Sequence, residues 1–205
     1  MSFFEHLTKE KIALDDIKVQ SLSCTSCQLC ETRQTVVFGS GNPTSKLMII
    51  GEAPGDHEDQ KGEPFIGRSG QLLTSLFESV GLSRETDMFI TNIVKCRPPK
   101  NRNPYQVEIN ACSSLLSQQL TSIQPQIVIL LGSPSMRTLL SKNLKISEVR
   151  GQWFKKRVKY MKTPLYIMPI FHPSYLLRNP SNDINKPKWN TLQDLLTVKN
   201  KLDKL

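Results

Sequence analysis

Along the chain, short solid runs of apolar residues alternate with longer stretches whose apolar positions recur every three or four residues. "KLMIIGEAP" (46–54) is an apolar run of buried-strand length closed by a Gly/Pro signal. "MFITNIVKC" (88–96) and "QIVILLG" (126–132) repeat that pattern, and "PLYIMPIF", ending at Phe171, makes a fourth strand. Between them, "SGQLLTSLFESVGL" has helical spacing, with Ser69 as N-cap and Gly81 as stop. A second helix starts near Pro104, a short one spans about 134 to 140, and a last one covers roughly 187 to 202. Residues 2–20 read as an amphipathic N-terminal helix, and "VRGQWFKKRVKYMK" as a hairpin leading into the last strand.

Strands that alternate with helices predict an α/β fold with a mainly parallel sheet and helices on both faces. Residues 1–205 suit one domain, in which 1–20 precede a cysteine-bearing segment, and no internal repeat is visible. In open sheets of this kind, ligands bind beyond the carboxyl ends of the strands. The turns there are "GEAPG", "TN", "LGSP" and "FHPS", so Glu52, Asn92 and His172 are expected to face one crevice.

Charge sharpens this picture. The chain carries 27 Lys+Arg against 18 Asp+Glu, a net charge of +9. Yet the stretch after the first strand gathers Glu52, Asp56, Glu58, Asp59 and Glu63 with only Lys61 among them. Asp56 and Asp59 suit turn and solvation positions, and His57 an exposed loop. Positive charge concentrates from Lys142 to Lys162, where Lys155, Lys156 and Arg157 lie among Trp153, Phe154 and Tyr160. Basic residues interleaved with aromatics suit a surface that follows a phosphate backbone; a solvated hairpin face is the plainer reading of the run alone. No apolar stretch reaches the length of a membrane span or a signal peptide. A cytoplasmic location, with thiols kept reduced, is therefore expected.

Five cysteines, an odd number, argue against a disulfide framework in such a compartment. Cys24 and Cys27 form a C-x2-C pair, Cys96 follows a strand end, and Cys112 lies on the next helix. Four thiolates from two distant pairs suit zinc or an iron–sulfur cluster, and spacing does not separate the two. Cys30 extends the first pair, but Gln34 stands where a simple ferredoxin run needs its fourth cysteine.

Three segments in order, "VVFGSGNPTSKLMIIGEAPGDHEDQKGEPFIGRSGQLL", "TNIVKCRPPKNRNP" and "FHPSYLLRNPS", resemble the family-4 uracil-DNA glycosylases, iron–sulfur enzymes of DNA repair. The resemblance spans roughly residues 20–200. It implies a three-layer α/β/α sandwich around a four-stranded, mainly parallel sheet. It also implies a 4Fe-4S cluster held by Cys24, Cys27, Cys96 and Cys112, with Cys30 a small buried apolar residue. The reaction implied is hydrolysis of the N-glycosidic bond of deoxyuridine in DNA, single- or double-stranded.

On that resemblance the residues take roles. Asn92 would read uracil through an amide that both donates and accepts. Phe65 would stack on the base, and His172 would donate to uracil O2. Ala53 occupies the position where better-known uracil glycosylases carry an aspartate, so a carboxylate function moves to Glu52 or Glu58. Gly55 stands where some relatives place a thymine-excluding aromatic, and Glu58 is the alternative barrier to a 5-methyl group. Pro173, Ser174, Tyr175 and Leu176 would form a loop that enters the duplex, Tyr175 and Leu176 filling the place of the flipped base, with Arg178 on phosphate. A monomer without membrane contact is expected. A sliding-clamp partner is compatible with a repair role, but no sequence feature specifies one.

Overall fold

The computed structural model describes residues 3–7 and 11–205. In chain order its elements are α1 (Leu14–Leu22), β1 (Ser40–Gly41), β2 (Leu47–Gly51), α2 (Asp56–Lys61), α3 (Arg68–Glu78), β3 (Met88–Asn92) and α4 (Gln106–Ile123). Then come β4 (Ile127–Leu131), α5 (Gly132–Leu139), α6 (Ile146–Val149), β5 (Phe154–Lys156), β6 (Leu165–Ile170), α7 (Pro173–Arg178) and α8 (Pro187–Leu202).

Among the described residues, six strands form one sheet in the order β1-β3-β2-β4-β6-β5. The four strands expected from apolar runs are its parallel centre, and every residue of β2, β3 and β4 is buried. Burial on both faces is why these strands read as continuous apolar runs rather than alternating ones. The two additional strands, β1 and β5, are short antiparallel edges. Two apolar clusters cover the faces. One joins Met48, Ile50, Val128, Leu130 and Ile167 to α4 and α5. The other joins Leu47, Ile49, Ile129, Met168 and Ile170 to α3, α7 and α8.

Four expectations are corrected. The N-terminal helix over 2–20 is a 3-10 turn at Phe3–His6 and a separate helix, α1; residues 8–10 lie outside the described residues. Gly67, not Ser69, caps α3. The acidic stretch after β2 contains a helix, α2, where a turn was expected. "HPSYLLR" is not a loop but α7, with His172 as its N-cap. Proline at the first helical position, where no N–H is needed, makes such a start favourable.

Candidate active site and cysteine cavity

The parallel strands end together, and the loops beyond them enclose a crevice of about 780 Å³. Glu52, Ala53 and Gly55 line it from the loop after β2, Asn92 from the end of β3, and His172, Ser174, Tyr175 and Arg178 from β6 and α7. Phe65 and Glu58 complete the wall. Arg102 borders it from the "CRPPKNRNP" segment, where a bidentate pair with Glu108 fixes its guanidinium.

Two acceptors in the crevice are unfinished. Asn92 is 1% exposed, and its Oδ1 is buried without a hydrogen bond from any described residue. Glu52 Oε1 is in the same condition, and burial raises the Glu52 carboxyl to about 7. A buried acceptor left unpaired is costly, so such atoms mark places where a ligand completes the hydrogen bonding. His172 is arranged differently. The Ser174 backbone N–H donates to its Nδ1 at 3.1 Å, which leaves the proton of a neutral ring on Nε2. Burial, with help from the Arg178 charge, lowers the ring to about 4, so it is neutral at ordinary pH. Its ring lies 6.0 Å from that of Phe65.

Phe65 lies close against two glycines. A Cβ on Gly51 would collide with the Phe65 ring and with Asn92 Oδ1, and one on Gly70 would collide with the Phe65 backbone. Only glycine at those two positions lets the ring lie against the strand end.

The second concavity lies behind the first. Cys24, Cys27, Cys96 and Cys112 line it with Arg33 and Lys95, while Cys30 is not part of the lining. All five thiols are free of disulfides. Burial pushes the Cys96 thiol up to about 11 against the pull of Arg33, whose Nη1 donates to Sγ at 3.3 Å. Among the described residues no three His, Cys, Asp or Glu side chains converge on a single-ion site. Lys95 is 1% exposed, and its Nζ donates to Thr91 Oγ1 at 2.6 Å and to the Asn92 carbonyl at 2.7 Å. The wall of the cysteine cavity is thus bonded to the residue that enters the crevice.

A family model for the uracil DNA glycosylase superfamily matches residues 38–196. The type-4 uracil-DNA glycosylase of Saccharolobus solfataricus is 46% identical over 172 residues, 82% of this chain and 78% of that protein. Those of Sulfurisphaera tokodaii and Thermotoga maritima are 41% and 38% identical over 174 and 183 residues. The first alignment covers 82% of this chain and 78% of the relative; the second covers 87% and 90%. The chain belongs to the type-4 uracil-DNA glycosylases.

In this type-4 member, three groups of expected site residues lie elsewhere or are otherwise engaged. Glu58 touches the crevice, but its carboxylate is occupied: Oε1 accepts the N–H groups of Ile66 at 3.0 Å and Gly67 at 2.8 Å, and Oε2 that of Gly55 at 3.1 Å. Hydrogen bonds to a charged group contribute roughly 1.5–3 kcal/mol each, so freeing this carboxylate to activate water opposes several such bonds. Leu176 is 1% exposed and packed in the core, and Pro173 is buried beside it; Tyr175 and Leu177 are the exposed apolar side chains of α7, at 38% and 39%. On a helix, neighbours along the chain face different directions, so Tyr175 and Leu176 do not present one exposed face together in this structure.

Lys155, Lys156 and Arg157 are not on the crevice rim. Lys155 pairs with Tyr166, near the start of β6, the end of the strand away from the crevice. Two other expectations change. Asp59 is not a solvated turn residue: at 1% exposure it accepts the N–H groups of Gln34 and Thr35. Asp56 pairs with Arg97. Cys30 is half-buried rather than buried, and His57 is exposed as expected. The structural roles of Asp59 and Lys95 were missed: Asp59 bonds to backbone groups far away in the chain, and the burial of Lys95 against Thr91 and the Asn92 carbonyl leaves no spacing signal.

Proposed function

We propose that the crevice receives a uracil turned out of a DNA strand, and that Glu52, Asn92, Phe65 and His172 divide the work of breaking its N-glycosidic bond. The chain is a uracil-DNA glycosylase that removes uracil in DNA repair. The observation that carries the finer reading is the buried, unpartnered Oδ1 of Asn92 at the crevice floor. It accepts the uracil N3–H while the amide N–H donates to O4. Cytosine offers the opposite pattern at both atoms and is refused. Phe65 supplies the stacking face that offsets part of the cost of flipping the base.

Bond breaking leaves positive charge on the sugar and negative charge on uracil. A neutral His172 with its proton on Nε2 donates to O2 as that charge grows. Glu52, as the carboxylate with a free oxygen, orients the attacking water and faces the sugar cation. This assigns to Glu52 the function whose usual position is taken by Ala53. Glu58 holds the loop that carries Phe65, and its carboxylate fills the space beside Gly55, where a Cβ would lie 2.7 Å from Oε2.

Cys24, Cys27, Cys96 and Cys112 suit a 4Fe-4S cluster. All four line one cavity and Cys30 does not, and a coordinating thiol gives up its proton whatever its unbound pKa. The cluster would supply a covalent tie between the N-terminal segment and the "KCRPP" strand-end loop, and no step of bond cleavage needs its electrons. A duplex and a single strand, each bearing one uracil, incubated with the protein and then treated with alkali, test the reading. Cleavage at the uracil and none at cytosine or thymine is expected; an uncleaved uracil strand overturns it.

A further inference from the structure

Phe65 is a bulky residue held at φ 53, in the left-handed region that favours glycine. Such a backbone persists only where its surroundings hold it. On one side, Glu58 takes the N–H groups of Ile66 and Gly67. On the other, a single guanidinium takes both neighbouring carbonyls: Arg84 Nη2 donates to Pro64 O at 2.8 Å and Nη1 to Phe65 O at 2.8 Å. Nη1 also reaches Thr74 Oγ1 at 3.3 Å, which ties the loop to α3.

Arg84 comes from the connection between α3 and β3, outside the crevice lining, and its side chain is only 12% exposed. Its contact with Glu63 is longer, at 3.5 Å, and Glu63 is half exposed, so charge pairing does not account for the burial. Two parallel N–H groups in a rigid plane match two successive carbonyls, a geometry that a lysine ammonium does not reproduce.

We propose that Arg84 is a positioning residue for base recognition: with Glu58 it clamps the peptide groups around Phe65 from opposite sides and fixes the ring as the platform for the flipped base. This rests on the reading of Phe65 as the stacking face. The guanidinium touches no substrate; it acts through the loop. Loss of the clamp frees the backbone to leave its strained conformation, and the ring then samples other positions. A misplacement of about 1 Å in a binding group costs on the order of 100-fold in rate.

The test uses the cluster-loaded full chain with 4-fluorophenylalanine placed at Phe65 alone. One sharp fluorine signal is expected in the parent. In Arg84→Ala it shifts and broadens, and in Arg84→Lys it changes partway. Excision from uracil DNA falls about 100-fold in Arg84→Ala. Binding to DNA carrying a tetrahydrofuran in place of the nucleoside, which presents no base, stays within about twofold. Millimolar guanidinium restores both signal and excision to Arg84→Ala, and Glu63→Gln changes neither. An unchanged fluorine signal in Arg84→Ala overturns the clamp itself. A shifted signal with full excision shows that Arg84 holds the ring but that Phe65 is not the base platform, which overturns the recognition role together with the reading beneath it. Weakened binding to tetrahydrofuran DNA in proportion to excision would place Arg84 in general folding or DNA contact, and overturns the proposal.

Discussion

The crevice keeps oxygen acceptors buried without partners, whereas the cavity a few residues farther along the same segment gathers four thiols around a buried Cys96. Glu52 Oε1 and Asn92 Oδ1 mark the first, and Cys96, raised to about 11, marks the second. An unpaired buried acceptor is unfavourable in isolation, whereas a buried neutral thiol is tolerated as a small apolar group, and the two call for different partners. On the proposed reading, a base with the right donors would complete the crevice reversibly, once per turnover. On the same reading, metal bonding would complete the thiols lastingly and remove their protons. The contrast teaches that, where unpartnered atoms line a crevice or cavity, the kind of atom indicates the chemistry of the group that would fit there.

Breaking the cysteine side should have the largest effect. Metal–thiolate bonding supplies folding free energy on the order of 10 kcal/mol in comparable sites, so Cys96→Ala is expected to give colourless, poorly folded protein. Cys30→Ala should stay brown with full iron and sulfide content, because Cys30 is outside the cavity lining. Iron and sulfide analysis decides, and a colourless Cys30 variant would reassign the ligands.

Next comes the crevice acceptor. Asn92→Asp replaces the donating amide with a second acceptor facing uracil O4. Excision should fall about 1,000-fold while colour and melting temperature persist, in keeping with the loss of a transition-state contact. Single-turnover kinetics beside an absorbance spectrum measure both, and full activity in the variant removes Asn92 from the site.

Glu52 sharpens the comparison through pH. Its carboxyl, raised to about 7 by burial, is needed ionised, so kcat/KM should climb roughly tenfold per pH unit below 7 and level off above it. His172, lowered to about 4, stays neutral over that range and adds no second limb. Glu52→Gln should lose about 100-fold in excision and erase the limb. Stability moves the opposite way. A raised folded pKa favours the native state below the unfolded value near 4.5, and that advantage is lost as pH rises through 7. Glu52→Gln should therefore melt higher than the parent at pH 8 and show little gain at pH 4. A parent rate that is flat from pH 5 to 9 would contradict the assignment.

The smallest effect concerns neither cavity. Replacing Lys155, Lys156 and Arg157 together should weaken binding to any DNA a few-fold and flatten its salt dependence, because fewer counterions are released. With Lys155 and Lys156 on β5 and Arg157 just past its end, outside the crevice lining, the excision rate at saturating enzyme should not change. An unchanged salt slope would leave the run as a solvated edge.

The central strands were legible because each is a run of apolar residues buried on both faces, and the long helices because their apolar stripe has a period. α2 was not, because "DHEDQK" has no stripe: it is held by the hydrogen bonds of Glu58 and Asp59 to other segments. Their carboxylates read as solvated because the chain brings Gln34 and Ile66 to them only in three dimensions. Asn92 and His172 were found because strand ends can be counted from apolar runs. Leu176 was misjudged because loop and helix present neighbouring residues differently. The choice between Glu52 and Glu58 turns on which oxygen has partners, a tertiary fact with no trace in spacing.

The interval between Asn92 and Cys96 works as a ruler. Lys95 closes it from inside, bonding back to Thr91 and to the Asn92 carbonyl, so the segment has no slack to absorb a change in length. A single inserted or deleted residue there would force a choice between the place of Cys96 in its cavity and that of Asn92 in the crevice, since one end could keep its position only by moving the other. "TNIVKC" is in that sense a fixed-length cassette: transplanted into another scaffold, it would have to travel whole, with a cavity waiting at each end.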